Sequence, residues 1–191
     1  MKQKARSRYR LSAALASSLA SKAAAAWADR SGVAAIEFGF FAVFLSIALA
    51  NVTDVSIYIY QRMQVENATE IAAQAALKTC ATKLPATINC NGLTTAMQNA
   101  LQSTTLGTSV AFASGSPAEG YYCVNSVNAL QWVAAVTAKP ADCTAAGTPA
   151  LQPGVYIQVQ TTFTYHSLFP GLSVAGAFPS PITRTSMMRL G

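Results

Sequence analysis

The chain has 191 residues, of which 52% are hydrophobic and only 10% are charged. A soluble domain carries about 25% charged residues, so this composition indicates that part of the chain is solvated by lipid. The length fits one small domain with additional segments.

The net positive charge lies before the first apolar segment. Seven Lys and Arg residues and one acidic residue, Asp29, occur in residues 1–30, which accounts for the whole formal net charge of +6. A basic tail can mark a nucleic-acid binder, but no base-reading motif accompanies this one. Basic residues that flank an apolar helix are typical of the cytoplasmic side of a membrane protein. We therefore predict that residues 1–32 are a basic cytoplasmic leader, and we expect no nucleic-acid partner.

An apolar run extends from Val33 to Ala50. At a rise of 1.5 Å per residue, its 18 residues are just long enough to cross the hydrocarbon core of a bilayer. No proline interrupts the run, and Glu37 is its only charge. A carboxylate inside a membrane helix is costly, which makes Glu37 a candidate functional residue.

The helical pattern continues beyond the apolar run. Apolar residues recur at helical spacing across Val55–Ala75, and this stretch contains no Pro or Gly. We predict a single helix over Val33–Lys78, about 70 Å long at 1.5 Å per residue. Tyr58 and Tyr60 are interpreted as interfacial aromatics at the outer membrane boundary.

The composition beyond Cys80 shifts to Thr, Asn, Gly, Ser and Pro. The spacing of Leu93, Met97 and Leu101 predicts a short second helix. The clearest strand is Val155–Tyr165, where apolar and polar side chains alternate, as in a sheet with one solvated face. Further strands are predicted at residues 108–113, 121–124, 130–138 and 182–190. We predict an α+β fold, in which the long N-terminal helix packs on a small antiparallel sheet formed by residues 79–191.

All four cysteines follow the apolar run: Cys80, Cys90, Cys123 and Cys143. An even number on one side of a membrane indicates disulfides in an oxidising compartment, with four buried thiols as the alternative. Zinc is disfavoured, because no CxxC pair exists and the only histidine is His166. Four cysteines allow three connectivities. We favour Cys80–Cys90 and Cys123–Cys143, because each pair closes a short loop.

The exported part offers few groups for catalysis. It contains one histidine and no G-x-S-x-G, HExxH or P-loop motif. We therefore expect no enzyme activity, no metal and no cofactor. Its carboxylates other than Glu37 are Asp54, Glu66, Glu70, Glu119 and Asp142.

The junction of leader and apolar run resembles a class III signal peptide, the type found on type IV pilins and pseudopilins. Gly32 ends the basic leader, and Glu37 follows five residues later. The residues Arg30–Phe38 closely resemble the start of the TadE-like pseudopilins of the tight-adherence (Flp) pilus system, as does the continuation Tyr60–Ala68. The resemblance covers Arg30 to about Leu77.

This resemblance implies a function in pilus assembly. Prepilin peptidase would cut between Gly32 and Val33, and Glu37 and Phe38 would set assembly and registry. The chain would be a minor component or assembly factor of an adhesive, secretion-type machine, whose partners are other pilins or pseudopilins and the inner-membrane assembly platform. The mature protein would cross the bacterial inner membrane once, with a cytoplasmic N-terminus and a periplasmic C-terminal domain, and could enter an extracellular pilus. Type IVa pilins usually carry Phe where this chain has Val33, which argues against that branch.

Three alternatives remain at this point. Ala48-Leu49-Ala50 is a small-x-small site, so an ordinary secretory signal could be cut there to release a protein that begins at Asn51. The apolar run could instead be a simple anchor for a binding domain, with Glu37 paired near the interface. A membrane-tethered enzyme is the third alternative, and the missing motifs disfavour it.

Overall fold

A computed structural model describes residues 31–191, and the predicted leader lies outside the described residues up to residue 30. The chain divides into two compact units, Met1–Ala50 and Asn51–Gly191. The helices and strands, in chain order, are α1 (Ser31–Cys80), α2 (Ala86–Asn89), α3 (Leu93–Gln102), β1 (Val110–Phe112), β2 (Ala118–Val124), β3 (Leu130–Ala135), β4 (Gly154–Phe163) and β5 (Ile182–Arg189).

The first unit contributes the apolar start of α1. Its large apolar side chains are exposed, as at Phe38, which is 74% exposed. By length and composition α1 can cross a membrane, since its most apolar window has a mean hydropathy of 2.2 and none of that window is buried. The predicted single helix over Val33–Lys78 agrees with the observed Ser31–Cys80.

In the second unit, α1 buries one face against the sheet. Most of the buried positions recur every three or four residues, as on one face of a helix, and four of them are alanines. Ile59 and Met63 lie outside this face, at 51% and 63% exposure. The buried face consists of Asp54, Tyr58, Val65, Ala68, Thr69, Ala72, Ala73, Ala76 and Cys80.

The interpretation of Tyr58 as an interfacial aromatic is wrong. Tyr58 is only 7% exposed and belongs to the core of the second unit. Its ring packs edge-on against Tyr165 at 5.0 Å between centroids, and its hydroxyl donates to the Pro179 carbonyl at 3.2 Å. It was misread because a Tyr near the end of an apolar run has the same local sequence whether it faces lipid or a protein core. Tyr60, by contrast, is 58% exposed.

The sheet is built around β4, and all its pairings are antiparallel. β5 runs along one edge of β4. β1 and β2 share the other edge, β1 opposite residues 161–163 and β2 opposite residues 154–158. β3 then pairs with the far side of β2. The predicted α+β architecture, with a long helix on a small antiparallel sheet, is therefore confirmed.

The main core lies between α1 and the inner face of β4. Ile157 and Val159 of β4 are fully buried, as the alternation in this strand predicts. Thr161 continues the buried face, and its hydroxyl hydrogen-bonds to that of Thr69 on α1, so neither buried hydroxyl lacks a partner. The predicted second helix forms as α3, and it buries its three periodic residues, Leu93, Met97 and Leu101.

Candidate functional site

A buried carboxylate lies in the first turn of α1 that belongs to the second unit. Asp54 has no solvent-exposed surface. Its Oδ1 accepts hydrogen bonds from the Tyr165 hydroxyl at 2.7 Å and from the Leu168 N–H at 2.9 Å, and its Oδ2 accepts one from the Ser167 hydroxyl. In the described part of the chain, no Lys, Arg or His side chain forms an ion pair with it. The charge is thus stabilised by neutral donors from the segment after β4.

These hydrogen bonds decide the ionisation of the cluster. Burial raises the pKa of the Asp54 carboxyl, but the hydrogen bonds from Ser167, Leu168 and Tyr165 lower it by more, and the net pKa lies well below its ordinary value of 3.8. Burial and the adjoining negative charge of Asp54 raise the pKa of Tyr165 from 10.0 to about 12. At neutral pH the pair therefore consists of a carboxylate and a neutral phenol, which is a stable arrangement rather than one poised for proton transfer.

Asn51 forms a second attachment to the same segment. Its Nδ2 donates to the Leu172 carbonyl at 3.1 Å, and its Oδ1 accepts from the Val174 N–H at 2.9 Å. Asn51 directly follows Ala50, the last residue of the apolar run. Together with Asp54, it holds the chain after β4 against the first turn of α1 beyond that run. We call residues 167–175, which Asn51 and Asp54 hold, the clamped loop.

The residues predicted for processing and assembly lie in the first unit. Gly32, Val33, Glu37 and Phe38 all lie in the first two turns of α1, and all four are exposed. Val33 and Glu37 are four residues apart and therefore share one face of the helix. The structure thus presents Glu37 on an exposed, apolar part of the helix.

The four predicted disulfide cysteines are brought together in two bonds. The structure contains Cys80–Cys90 and Cys123–Cys143, with Cα–Cα distances of 5.8 and 5.6 Å. The first bond ties the end of α1 to the main core, and the second belongs to a separate small cluster with Ala146. These cysteines therefore serve the fold, and none in the described chain is a free thiol.

Two further carboxylates, Glu119 and Asp142, make structural contacts. Glu119 on β2 accepts hydrogen bonds from the Ala86 and Thr87 N–H groups at 2.9 and 2.7 Å, which caps the start of α2. Asp142 accepts from the Thr144 N–H at 2.9 Å. Within residues 31–191, no three His, Cys, Asp or Glu side chains lie close enough to hold a metal ion.

An open groove of about 570 Å³ lies between α1 and the segment that leads into β5. Its walls are mainly apolar, with two cations, Arg62 and Arg184. Arg184 also pairs with Glu66 at 3.6 Å between Nε and Oε2. Among the described residues that line it there is no acidic side chain, histidine or cysteine, and the mainly apolar walls form an open surface. It is lined by Val55, Tyr58, Ile59, Arg62, Phe178, Pro179, Pro181, Ile182, Thr183 and Arg184.

Comparison with known proteins assigns no family. No protein-family model, curated protein or solved structure matches the chain.

The sequence patterns did not point to the Asp54 cluster or to Asn51. The spacing of the buried residues of α1 would have been enough to predict that Asp54 is buried. Steps of three or four residues back from Ala76 through Ala72, Ala68 and Val65 reach Tyr58 and then Asp54. This places a carboxylate on the face that must be buried. Its partner Tyr165 could not be found in this way, because nothing local links two residues 111 positions apart.

Proposed function

We propose that the chain is a TadE-like pseudopilin, a minor component or assembly factor of a tight-adherence (Flp) pilus. The observation that carries the proposal is the composition of α1. Its first part is exposed and apolar with the single carboxylate Glu37, whereas its second part is built into the core of a disulfide-bonded domain. One helix thus combines a surface for lateral packing in a membrane with a firm attachment to an exported domain.

The proposed location is the bacterial inner membrane, with the disulfide-bonded domain in the periplasm. The basic leader places the N-terminus in the cytoplasm, and residues 33–50 cross the inner membrane once. The two disulfides require an oxidising compartment, which the periplasm supplies. Prepilin peptidase, other pilins or pseudopilins and the inner-membrane assembly platform are the proposed partners, with Glu37 and Phe38 in the packing surface.

Glu37 supplies a reason for ordered assembly. Cleavage after Gly32 leaves a free amine on Val33, one helical turn from the Glu37 carboxylate. In a bundle, the carboxylate of one helix can pair with the amine of its neighbour. A charge in lipid costs about 2.5–3.5 kcal/mol, so this pairing favours assembled over dispersed subunits and disfavours registers that leave a charge unpaired.

A second candidate is a secreted binding domain with an ordinary signal sequence. One observation favours it: the second compact unit begins at Asn51, directly after the small-x-small site Ala48-Leu49-Ala50. Cleavage there would leave Asn51, Asp54 and the buried face of α1 within the released domain. The carboxylate of Glu37 inside the apolar core of the supposed signal favours the pseudopilin instead, as does the helical pattern that runs through the cut.

N-terminal sequencing of the mature protein tests the two candidates. A mature chain that begins at Val33 supports the pseudopilin, and Gly32→Leu should then block cleavage. Ala50→Leu is the matched control, because it enlarges the small residue before the other candidate cut. A mature chain that begins at Asn51, with cleavage blocked by Ala50→Leu and not by Gly32→Leu, would establish a secretory signal.

A further inference from the structure

The clamped loop presents large apolar side chains to its surroundings. Leu168, Leu172 and Val174 are 57%, 62% and 61% exposed. No charged residue lies between His166 and Arg184 in the sequence. Three large exposed apolar side chains within seven residues, in a segment without charged residues, make the clamped loop a candidate for contact with an apolar partner.

The attachment of this loop fixes its level along α1. Asn51 and Asp54 lie one and four residues beyond Ala50, which corresponds to about 1.5 and 6 Å along the helix axis. Asp54 binds the start of the loop at Leu168, and Asn51 binds its end at Leu172 and Val174. The loop is therefore held by the residues of α1 that directly follow the apolar run in the chain.

This level coincides with the interfacial layer of a bilayer. The hydrocarbon core is about 30 Å thick and the whole bilayer about 40–45 Å, which leaves an interfacial layer of about 5–7 Å on each side. If residues 33–50 cross the hydrocarbon core, Asn51 and Asp54 both lie within that layer. Apolar side chains held at this depth lose contact with water without any further folding of the loop.

We propose that the clamped loop is seated in the outer interfacial layer of the membrane that α1 crosses, with Leu168, Leu172 and Val174 in contact with lipid. This inference rests on the proposed membrane span of residues 33–50. A lipid surface fits better than a protein partner, because the loop is attached where the apolar run ends and offers no charge for specific recognition. Asn51 and Asp54 provide hydrogen-bond partners for four polar groups of this loop, which lowers the cost of its transfer from water.

The loop is ordered before it meets the membrane. Leu172 N–H and Ser173 N–H both donate to the Phe169 carbonyl, which closes a turn at the tip. Gly171 sits in this turn with φ of +82°, a conformation that residues with a side chain rarely adopt. Membrane contact by a preformed turn costs less conformational entropy than insertion of a flexible segment.

Single fluorescent labels on the full chain test the proposal. The four native cysteines are paired, so a cysteine introduced by Leu172→Cys is the only reactive thiol. Val127→Cys is the matched control, because Val127 is also an exposed apolar loop residue, at 77%, but on the β2–β3 connection. Phe44→Cys reports on the span itself. The protein is reconstituted in vesicles of phosphatidylethanolamine and phosphatidylglycerol, labelled with an environment-sensitive dye, and quenched with head-group spin-labelled lipid.

We expect the Leu172 label to emit at shorter wavelength than the Val127 label and to lose its fluorescence to head-group quencher, while the Phe44 label responds to quenchers deep in the acyl chains. A deep Phe44 label combined with a Leu172 label that behaves like Val127 would overturn the loop inference and leave the span intact. A Phe44 label outside the bilayer would overturn the span, and the loop inference with it. A Leu172 shift that disappears on dilution of the protein with lipid would identify contact with a second copy and also overturn the inference.

Discussion

Tyr165, two residues after the end of β4, donates its hydroxyl hydrogen to Oδ1 of Asp54 on α1 at 2.7 Å. The two residues are 111 positions apart in sequence, and both are buried. A fully buried carboxylate without a cation is costly unless donors surround it, so this contact stabilises the attachment of the sheet to the helix.

Loss of the phenolic hydroxyl should destabilise the protein. Tyr165→Phe keeps the ring that packs on Tyr58 but removes a donor to a charged, buried acceptor, which costs about 1.5–3 kcal/mol. Tyr122→Phe is the matched control, because Tyr122 donates to the neutral Gln158 side chain at 3.2 Å and the expected cost is about 0.5–1.5 kcal/mol. Urea unfolding of the detergent-solubilised chain measures both. Equal losses would show that the Asp54 charge adds nothing to the contact.

Stability should fall in acid through Asp54. The unfolded carboxyl takes up a proton near its ordinary pKa of 3.8, whereas the folded carboxyl has a pKa well below that value. Below pH 3.8 the unfolded state therefore binds more protons, and stability declines as the pH falls towards the folded pKa. Asp54→Asn should flatten the decline, and Ser167→Ala, which removes one donor, should flatten it partly. A wild-type acid slope in Asp54→Asn would assign the decline to other groups.

Removal of each disulfide should increase hydrogen exchange in a different part of the domain. Loops of this size contribute about 2–4 kcal/mol each, mainly by restricting the unfolded chain. Replacement of Cys80 and Cys90 by Ala should increase hydrogen exchange in α1 and β4, because that bond lies in the main core. Replacement of Cys123 and Cys143 by Ala should act mainly on residues near Ala146, in the smaller cluster. The reverse pattern of exchange would contradict the assignment of the two clusters.

Glu37 should be needed for assembly but not for insertion. We expect Glu37→Gln and Glu37→Ala to insert in the membrane and to be cleaved after Gly32, yet to lose co-purification with other pilins and surface piliation. Ser46→Ala is the matched control, because Ser46 is a polar residue of the same run whose hydroxyl bonds to Ala42 of its own helix at 2.7 Å. Normal piliation by both Glu37 variants would show that pairing of the Glu37 charge is not needed for assembly. It would not contradict the description of the fold.

The topology should be that of a single pass with an exported C-terminus. The positive-inside rule predicts that alkaline phosphatase fused after Gly191 is active, since this enzyme folds only in an oxidising compartment. A fluorescent reporter that folds only in the cytoplasm should be silent at the same position. The opposite pattern would place the disulfide-bonded domain in the cytoplasm and contradict the proposed function.

Local sequence patterns were sufficient to predict most helices and strands of this fold. Alternation predicted a strand over Val155–Tyr165, and the structure forms β4 over Gly154–Phe163. Helical spacing predicted Leu93, Met97 and Leu101 as one face of α3. Both patterns arise because one face of a regular element is buried, so apolar residues recur along the sequence with the period of that element.

The same patterns were insufficient for relations between distant residues. The four-residue helix α2 was not predicted, because its cap comes from Glu119, more than thirty positions away. Tyr58 was assigned to lipid because its partners Tyr165 and Phe178 lie on other segments. The burial of the Asp54 carboxylate was not predicted, since its donors follow β4. Each of these errors concerns a contact that only the tertiary structure creates.

The central position of β4 has a consequence for the order of folding. β1, β2 and β5 all pair with this strand, and its inner face covers α1. Because β4 begins only at Gly154, about four fifths of the 191-residue chain must be synthesised before this strand can cover the alanine-rich face of α1. Contacts between such distant residues form slowly. Until they form, the apolar face of α1 is exposed and prone to non-native association. The nascent domain therefore needs protection from premature association until its fourth strand arrives.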